Sequence, residues 1–127
     1  MARYLIDSSI LIDVLRDYSP AKTWLDGLAD DDWTISIITQ AELLVGCRNK
    51  REQQAVLSEL SQYQSLWLTQ SSQQQALDWL SLHRLASGIG FLDCLIAATA
   101  VERGLVLATV NDKHFRRISE LVVERPY

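Results

Sequence analysis

No apolar run in the chain approaches the roughly 20 residues that a membrane-spanning helix needs, which excludes a helical membrane protein. The N-terminus also lacks a basic segment followed by a hydrophobic one. Met1 leads directly into "RYLID", so no secretory signal is expected and the cytoplasm is the expected location. Cysteine is scarce: Cys47 and Cys94 sit inside apolar helical patterns without metal-ligand spacing, which predicts reduced, buried thiols. Positive charge is in deficit, with 12 Lys and Arg against 16 Asp and Glu and a net charge of −4. That balance argues against a nucleic-acid binder working by charge alone, but not against an enzyme that meets a phosphodiester through bound cations. No G-x-x-x-x-G-K-[ST] occurs, which removes P-loop nucleotide binding. Internal repeats, low-complexity tracts and linkers are likewise missing.

What is present suits one globular domain over residues 1–127, with 48% hydrophobic and 22% charged residues. The acids Asp26, Asp30, Asp31 and Asp32 read as a solvated helix end. Basic residues at Arg48–Arg51 and Lys113–Arg117 read, taken alone, as solvated surface. Short apolar runs at 3–6, 33–37, 65–69, 105–108 and 121–123 predict strands. Helical patterns lie between them: "SILIDVLR", a second segment opening at Pro20, "TQAELLVGCR", Lys50–Gln62, and a long helix capped by Ser71 or Ser72 that stops at "SGIG". "FLDCLIAATA" and "NDKHFRRI" complete the set. This alternation predicts an α/β fold, with a mainly parallel central sheet of about five strands sandwiched by helices.

In open α/β sheets, sites form beyond the carboxyl ends of the strands. Asp7 follows the first strand there, Glu42 lies early in the helix after "WTISI", and Asp93 lies in the first turn of its helix. Each has a purely structural reading. Asp7 or Ser8 suits an N-cap, Thr39-x-x-Glu42 fits a capping box, and Asp93 complements the helix dipole. Should they converge, two carboxylates about 5 Å apart repel by roughly 3 kcal/mol at an effective dielectric of 20. Protons or a hard divalent cation would then be required, and Mg²⁺ and Mn²⁺ prefer such oxygen ligands.

Four segments, "YLIDSSILID" (4–13), "SIITQAELLVG" (36–46), "GIGFLDCLIAATA" (88–100) and "LATVNDKHFRRI" (107–118), together resemble a PIN domain. Within that family the chain most resembles the VapC toxins of bacterial toxin–antitoxin pairs. The resemblance spans nearly the whole chain, and its most specific element is D-x-L-I-A-A-T-A, here Asp93 to Ala100. It implies a metal-dependent endoribonuclease with Asp7, Glu42 and Asp93 as the acidic site holding Mg²⁺ or Mn²⁺. Ser8, Thr109 and Asn111 would orient water or phosphate, and Arg84, His114, Arg116 and Arg117 would contact the RNA backbone. The resemblance further implies cleavage to 5′-phosphate and 3′-hydroxyl ends, a homodimer, and silencing by a small VapB-like antitoxin whose C-terminal segment lies in a groove beside the acids. Transfer RNA, a ribosomal loop and messenger RNA all fit as substrate.

Two departures from the family pattern stand out. Where the family often has Asp-Thr-Asn, this chain has Asp7-Ser8-Ser9. In the last motif the fourth polar position falls on Asn111, with Asp112 beside it as either a substitute ligand or a helix cap. Rival α/β readings fare worse. A phosphoacceptor domain lacks its Asp after the third strand, and Ser9 occupies the second Asp position of a D-x-D phosphatase. The remaining alternative is a non-catalytic interaction module on the same fold, its acids kept as helix caps.

Overall fold

The computed structural model describes residues 3–29 and 31–127; Asp30, assigned above to a solvated helix end, lies outside the described residues. Five strands form one sheet: β1 (Tyr4–Ile6), β2 (Trp33–Ser36), β3 (Ser65–Leu66), β4 (Val106–Ala108) and β5 (Val123–Glu124). Every pairing is parallel, in the order β3-β2-β1-β4-β5. Helices α1 (Ser8–Leu15) and α2 (Ser19–Asp26) link β1 to β2, and α3 (Ile37–Val45) and α4 (Lys50–Leu60) link β2 to β3. The long α5 (Gln70–Ser87) and α6 (Phe91–Arg103) lead to β4, and the single turn α7 (Asp112–Phe115) leads to β5.

The period of two along β1 divides the core. Leu5 faces one side, where it joins Leu107, Phe115, Ile118 and the inner faces of α5 and α6. Tyr4 and Ile6 face the other, against Ile10, Leu11, Leu43 and Val56 of the α1–α4 layer. Strands covered on both faces need apolar residues at every position, which is why "YLI" is continuously buried. Helix α6 is buried all round from Cys94 to Ala100, and its small residues Ala97, Ala98 and Ala100 allow close packing. Asp93 stands at the start of this apolar helix. Cys94 is buried and Cys47 half-buried, both as free thiols.

Three boundaries differ from the sequence expectation. Ser36 caps α3, accepting from the Ile38 N–H at 3.0 Å, so the helix begins at Ile37 and absorbs the last residue of the expected strand. Thr69 caps α5, with Ser72 reaching back as its capping-box partner, where Ser71 or Ser72 was expected to cap. The last strand lies at Val123–Glu124; Leu121 precedes it and is buried in the core. Gly88 ends α5 at φ +74°, a left-handed conformation that glycine adopts without steric cost.

β1 occupies the middle of the sheet. The chain leaves it toward β2 and β3, then returns to its other side with β4. The crevice past the carboxyl ends of β1 and β4 is therefore a topological switch point, where open α/β sheets bind ligands.

Candidate active site

Asp7 follows β1 at that crevice and occupies the N-cap position of α1, yet its side chain makes no capping bond. Its Oδ2 instead accepts hydrogen bonds from Ser9 Oγ at 2.9 Å and from Thr109 Oγ1 at 2.7 Å. Backbone donors hold both hydroxyls in turn: Val110 N–H reaches Ser9 Oγ at 3.2 Å, and Asn111 N–H reaches Thr109 Oγ1 at 3.0 Å. Each hydroxyl thus accepts from the backbone and donates to Asp7. With both protons so directed, the 3.3 Å separation of the two hydroxyl oxygens is a packing contact. Such a chain of bonds in a buried setting fixes its members mutually, and it suits a carboxylate that only accepts. Asp7, Ser9 and Thr109 are all buried.

Glu42 reaches the crevice from the middle of α3. Because Ser36 sets the helix start, Glu42 stands well past the third helical position, and the capping-box reading of Thr39 and Glu42 does not hold. Ser8 Oγ points at Glu42 Oε1 from 3.4 Å. Burial is the main cause holding the Glu42 carboxyl above its ordinary pKa, and the charges of Asp7 and Asp93 add to it. Asp93, at the third position of α6, is likewise raised, first by burial and then by Asp7, with His114 and the Gly90 N–H pulling the other way. Part of the helix-end reading of Asp93 is therefore realised, through Gly90. The dominant effect is still a carboxylate desolvated beside another.

These three acids come from three different elements and line one cavity of about 530 Å³ with Ser8, Asn111, Asp112 and His114. Among the described residues no three acidic, histidine or cysteine side chains close into a ready-made cation cage. Asp7, Glu42 and Asp93 are instead carboxylates facing a common open space.

The other expected residues divide. Ser8, Asn111 and His114 line the cavity, while Thr109 is buried behind it on Asp7. Asp112 is held by Arg116 Nε at 2.8 Å and approached by Arg125 Nη1 at 3.4 Å; the bond from Arg116 keeps its carboxyl below the usual range. Arg84 is placed elsewhere, its guanidinium donating to the carbonyls of Gly88 and Ile89 at the end of α5. Arg116 and Arg117 are exposed. Two residues were missed. Ser9, which stands where the family often has Asn, supplies one of the two bonds to Asp7, a role signalled by a hydroxyl two positions after an aspartate. Arg125 had no local signal, because the last strand was set too early.

A family model described as PIN domain matches residues 4–121. The chain belongs to the PIN-domain family. This PIN domain is 35% identical to Ribonuclease VapC10 of Mycobacterium tuberculosis over 119 residues, which cover 92% of this chain and 89% of the relative. Among solved structures it is similar to a toxin–antitoxin complex from Klebsiella pneumoniae, with a TM-score of 0.80, 29% identity and 98% of both chains covered. It shares its fold with DNA-bound VapBC from Salmonella typhimurium, with a TM-score of 0.86, 24% identity and full coverage of both chains. Among the described residues no helix is long and apolar enough to cross a membrane.

Proposed function

We propose that this PIN domain is a VapC-like endoribonuclease, the toxin of a toxin–antitoxin pair, which hydrolyses RNA phosphodiester bonds in its acidic cavity. The observation that carries this is the meeting of Asp7, Glu42 and Asp93 in one cavity at the sheet's switch point. A relative 35% identical is named a ribonuclease, and a structural neighbour is a toxin–antitoxin complex, which supports the same reading.

The donor set fits Mg²⁺ or Mn²⁺. Three hard carboxylate oxygens around an open cavity suit a cation that keeps several waters and is held by one or two carboxylates plus substrate phosphate. Asp7 and Asp93 would anchor it, with Glu42 alongside. When bound, it lowers the pKa of water and offsets charge on the phosphoryl oxygens. Ser9 and Thr109 hold the Asp7 carboxylate in one orientation at no entropic cost during reaction. Glu42 and Asp93 both have raised proton affinity, and Glu42, which is not one of the two anchoring carboxylates, is the one left to take the proton of the attacking water. Attack at phosphorus breaks the bond to the 3′ oxygen, which takes up a proton from solvent, leaving 5′-phosphate and 3′-hydroxyl ends.

A second cavity of about 560 Å³ lies between α1, α3 and α4 and is lined by Ile12, Leu15, Leu43 and Val56. Glu42 lines it as well as the acidic cavity, so the two are neighbours. This groove is where the C-terminal segment of a VapB-like antitoxin would lie. Of the apolar residues on α2 and α3, Leu25 is buried, Trp24 and Leu44 are half-buried, and Val45 is exposed. Leu82 and Leu85, three residues apart on α5 and 71% and 100% exposed, are the better candidates for homodimer contact.

Incubation with total bacterial RNA tests the reading. Fragments with 5′-phosphate ends that form in Mg²⁺ and vanish in EDTA support it, and intact RNA from antitoxin-free protein refutes it. The non-catalytic alternative, its acids kept for helix ends, is supported at Asp93 alone, since Asp7 makes no capping bond and Glu42 is out of capping-box register.

A further inference from the structure

Glu124 is the register partner of Ala108, and its carbonyl accepts the Thr109 N–H at 3.1 Å. Arg125 is therefore the first residue past the carboxyl end of β5, beside the segment that carries Thr109. It lines the acidic cavity with Asp7, Glu42 and Asp93. Its guanidinium is loosely held. Nη1 stands 3.4 Å from Asp112 Oδ1, well beyond the 2.7–2.9 Å of a tight charge-assisted bond, and 52% of the side chain is exposed.

Asp112 is better committed. Its Oδ2 accepts from Arg116 Nε at 2.8 Å, and only 16% of its side chain is exposed. A guanidinium stands at each of its oxygens, so the charge of Asp112 is already compensated within the protein, unlike that of Asp7, Glu42 and Asp93. One carboxylate between two guanidiniums leaves a positive charge over. That charge faces a cavity lined by Asp7, Glu42 and Asp93 as well as Asp112, in a chain of net charge −4. Lys113 lines the same cavity, so two cations, Lys113 and Arg125, stand among its acids.

Building on the ribonuclease reading, we propose that Arg125 binds an RNA phosphate next to the scissile bond and that Asp112 is its positioning residue, not a cation ligand. The guanidinium offers five N–H donors in a planar fork that matches phosphate, and the weak contact with Asp112 leaves most of them available. Asp112 limits the arginine's freedom without consuming its charge, because Arg116 neutralises the carboxylate.

The test is steady-state cleavage of a short single-stranded RNA by the full chain in Mg²⁺, at several salt concentrations, for Arg125→Ala, Arg125→Lys and Asp112→Asn. For R125A the expected result is a KM raised about tenfold with kcat within about twofold. The log–log salt slope of kcat/KM should become shallower by about 0.7, the loss of one single-strand phosphate contact. R125K should recover the slope but not all of the KM. D112N should raise KM while the Mg²⁺ concentration for half-maximal rate stays that of the parent. An unchanged KM and slope in R125A on an actively cleaving parent overturns this inference alone, as does a shifted Mg²⁺ midpoint in D112N. A parent that cleaves no RNA overturns the ribonuclease reading itself, and this one with it.

Discussion

Thr109 donates a 2.7 Å hydrogen bond to Asp7 across 102 residues of chain, joining the ends of two neighbouring parallel strands at the floor of the acidic cavity. The hydroxyl also accepts the Asn111 N–H, so its removal strands a backbone donor as well as a carboxylate oxygen.

Thr109→Val keeps the shape and deletes only that hydroxyl. Leaving buried partners unsatisfied costs about 1–3 kcal/mol. The variant should lose that much stability in urea denaturation and at least about tenfold in kcat/KM for RNA, with Thr109→Ser restoring most of both. Parental stability in the valine variant would show that the network contributes nothing.

Glu42 and Asp93 give stability an unusual pH dependence. Both carboxyls are raised in the folded state, chiefly by burial and then by neighbouring acids. The folded chain therefore holds more protons than the unfolded one between the ordinary carboxylate range and the raised values. Stability from these groups is greatest below about pH 4 and falls as pH rises through that window. Glu42→Gln and Asp93→Asn should each raise Tm by about 2–4 °C at pH 7.5 in EDTA, a gain that disappears in acid. Mg²⁺ should narrow the gap by stabilising the parent alone. A lower Tm in either variant at neutral pH would mean that these carboxylates support the fold when charged.

Ala55 lines the apolar groove from the exposed side of α4, where a larger side chain is accommodated without entering the core. Ala55→Arg should weaken capture of a VapB-like antitoxin at least about tenfold, near 1.4 kcal/mol, and relieve silencing of RNA cleavage. Calorimetry with the cognate antitoxin reads this directly. Unchanged affinity would move the antitoxin to another surface.

Much of this arrangement was legible before the fold was known. The alternation of short apolar runs with amphipathic segments carried the parallel sheet, and the acids stood out because each followed a strand or opened a helix. Local chemistry misled where tertiary context decided between two signals. Ile37 is β-branched and reads as the end of a strand, but Ser36 is the stronger signal and opens the helix there. That shift removed Glu42 from its capping box. Thr39 consequently lies buried within α3, its hydroxyl without a partner. Arg125 depends on strand register, which no local pattern reports. Arg84 was expected to contact the RNA backbone, but it holds the carbonyls of Gly88 and Ile89 just past α5, where the left-handed Gly88 turns the chain back.

The most direct measurement is RNA cleavage by Asp7→Ala and Asp93→Asn beside the parent, in Mg²⁺ and in EDTA, with circular dichroism confirming equal folding. The account expects discrete fragments from the parent in Mg²⁺ only, and none from either variant. Cleavage persisting at the parental rate in folded Asp93→Asn would contradict it, because the chemistry would then lie outside the cavity where these acids meet.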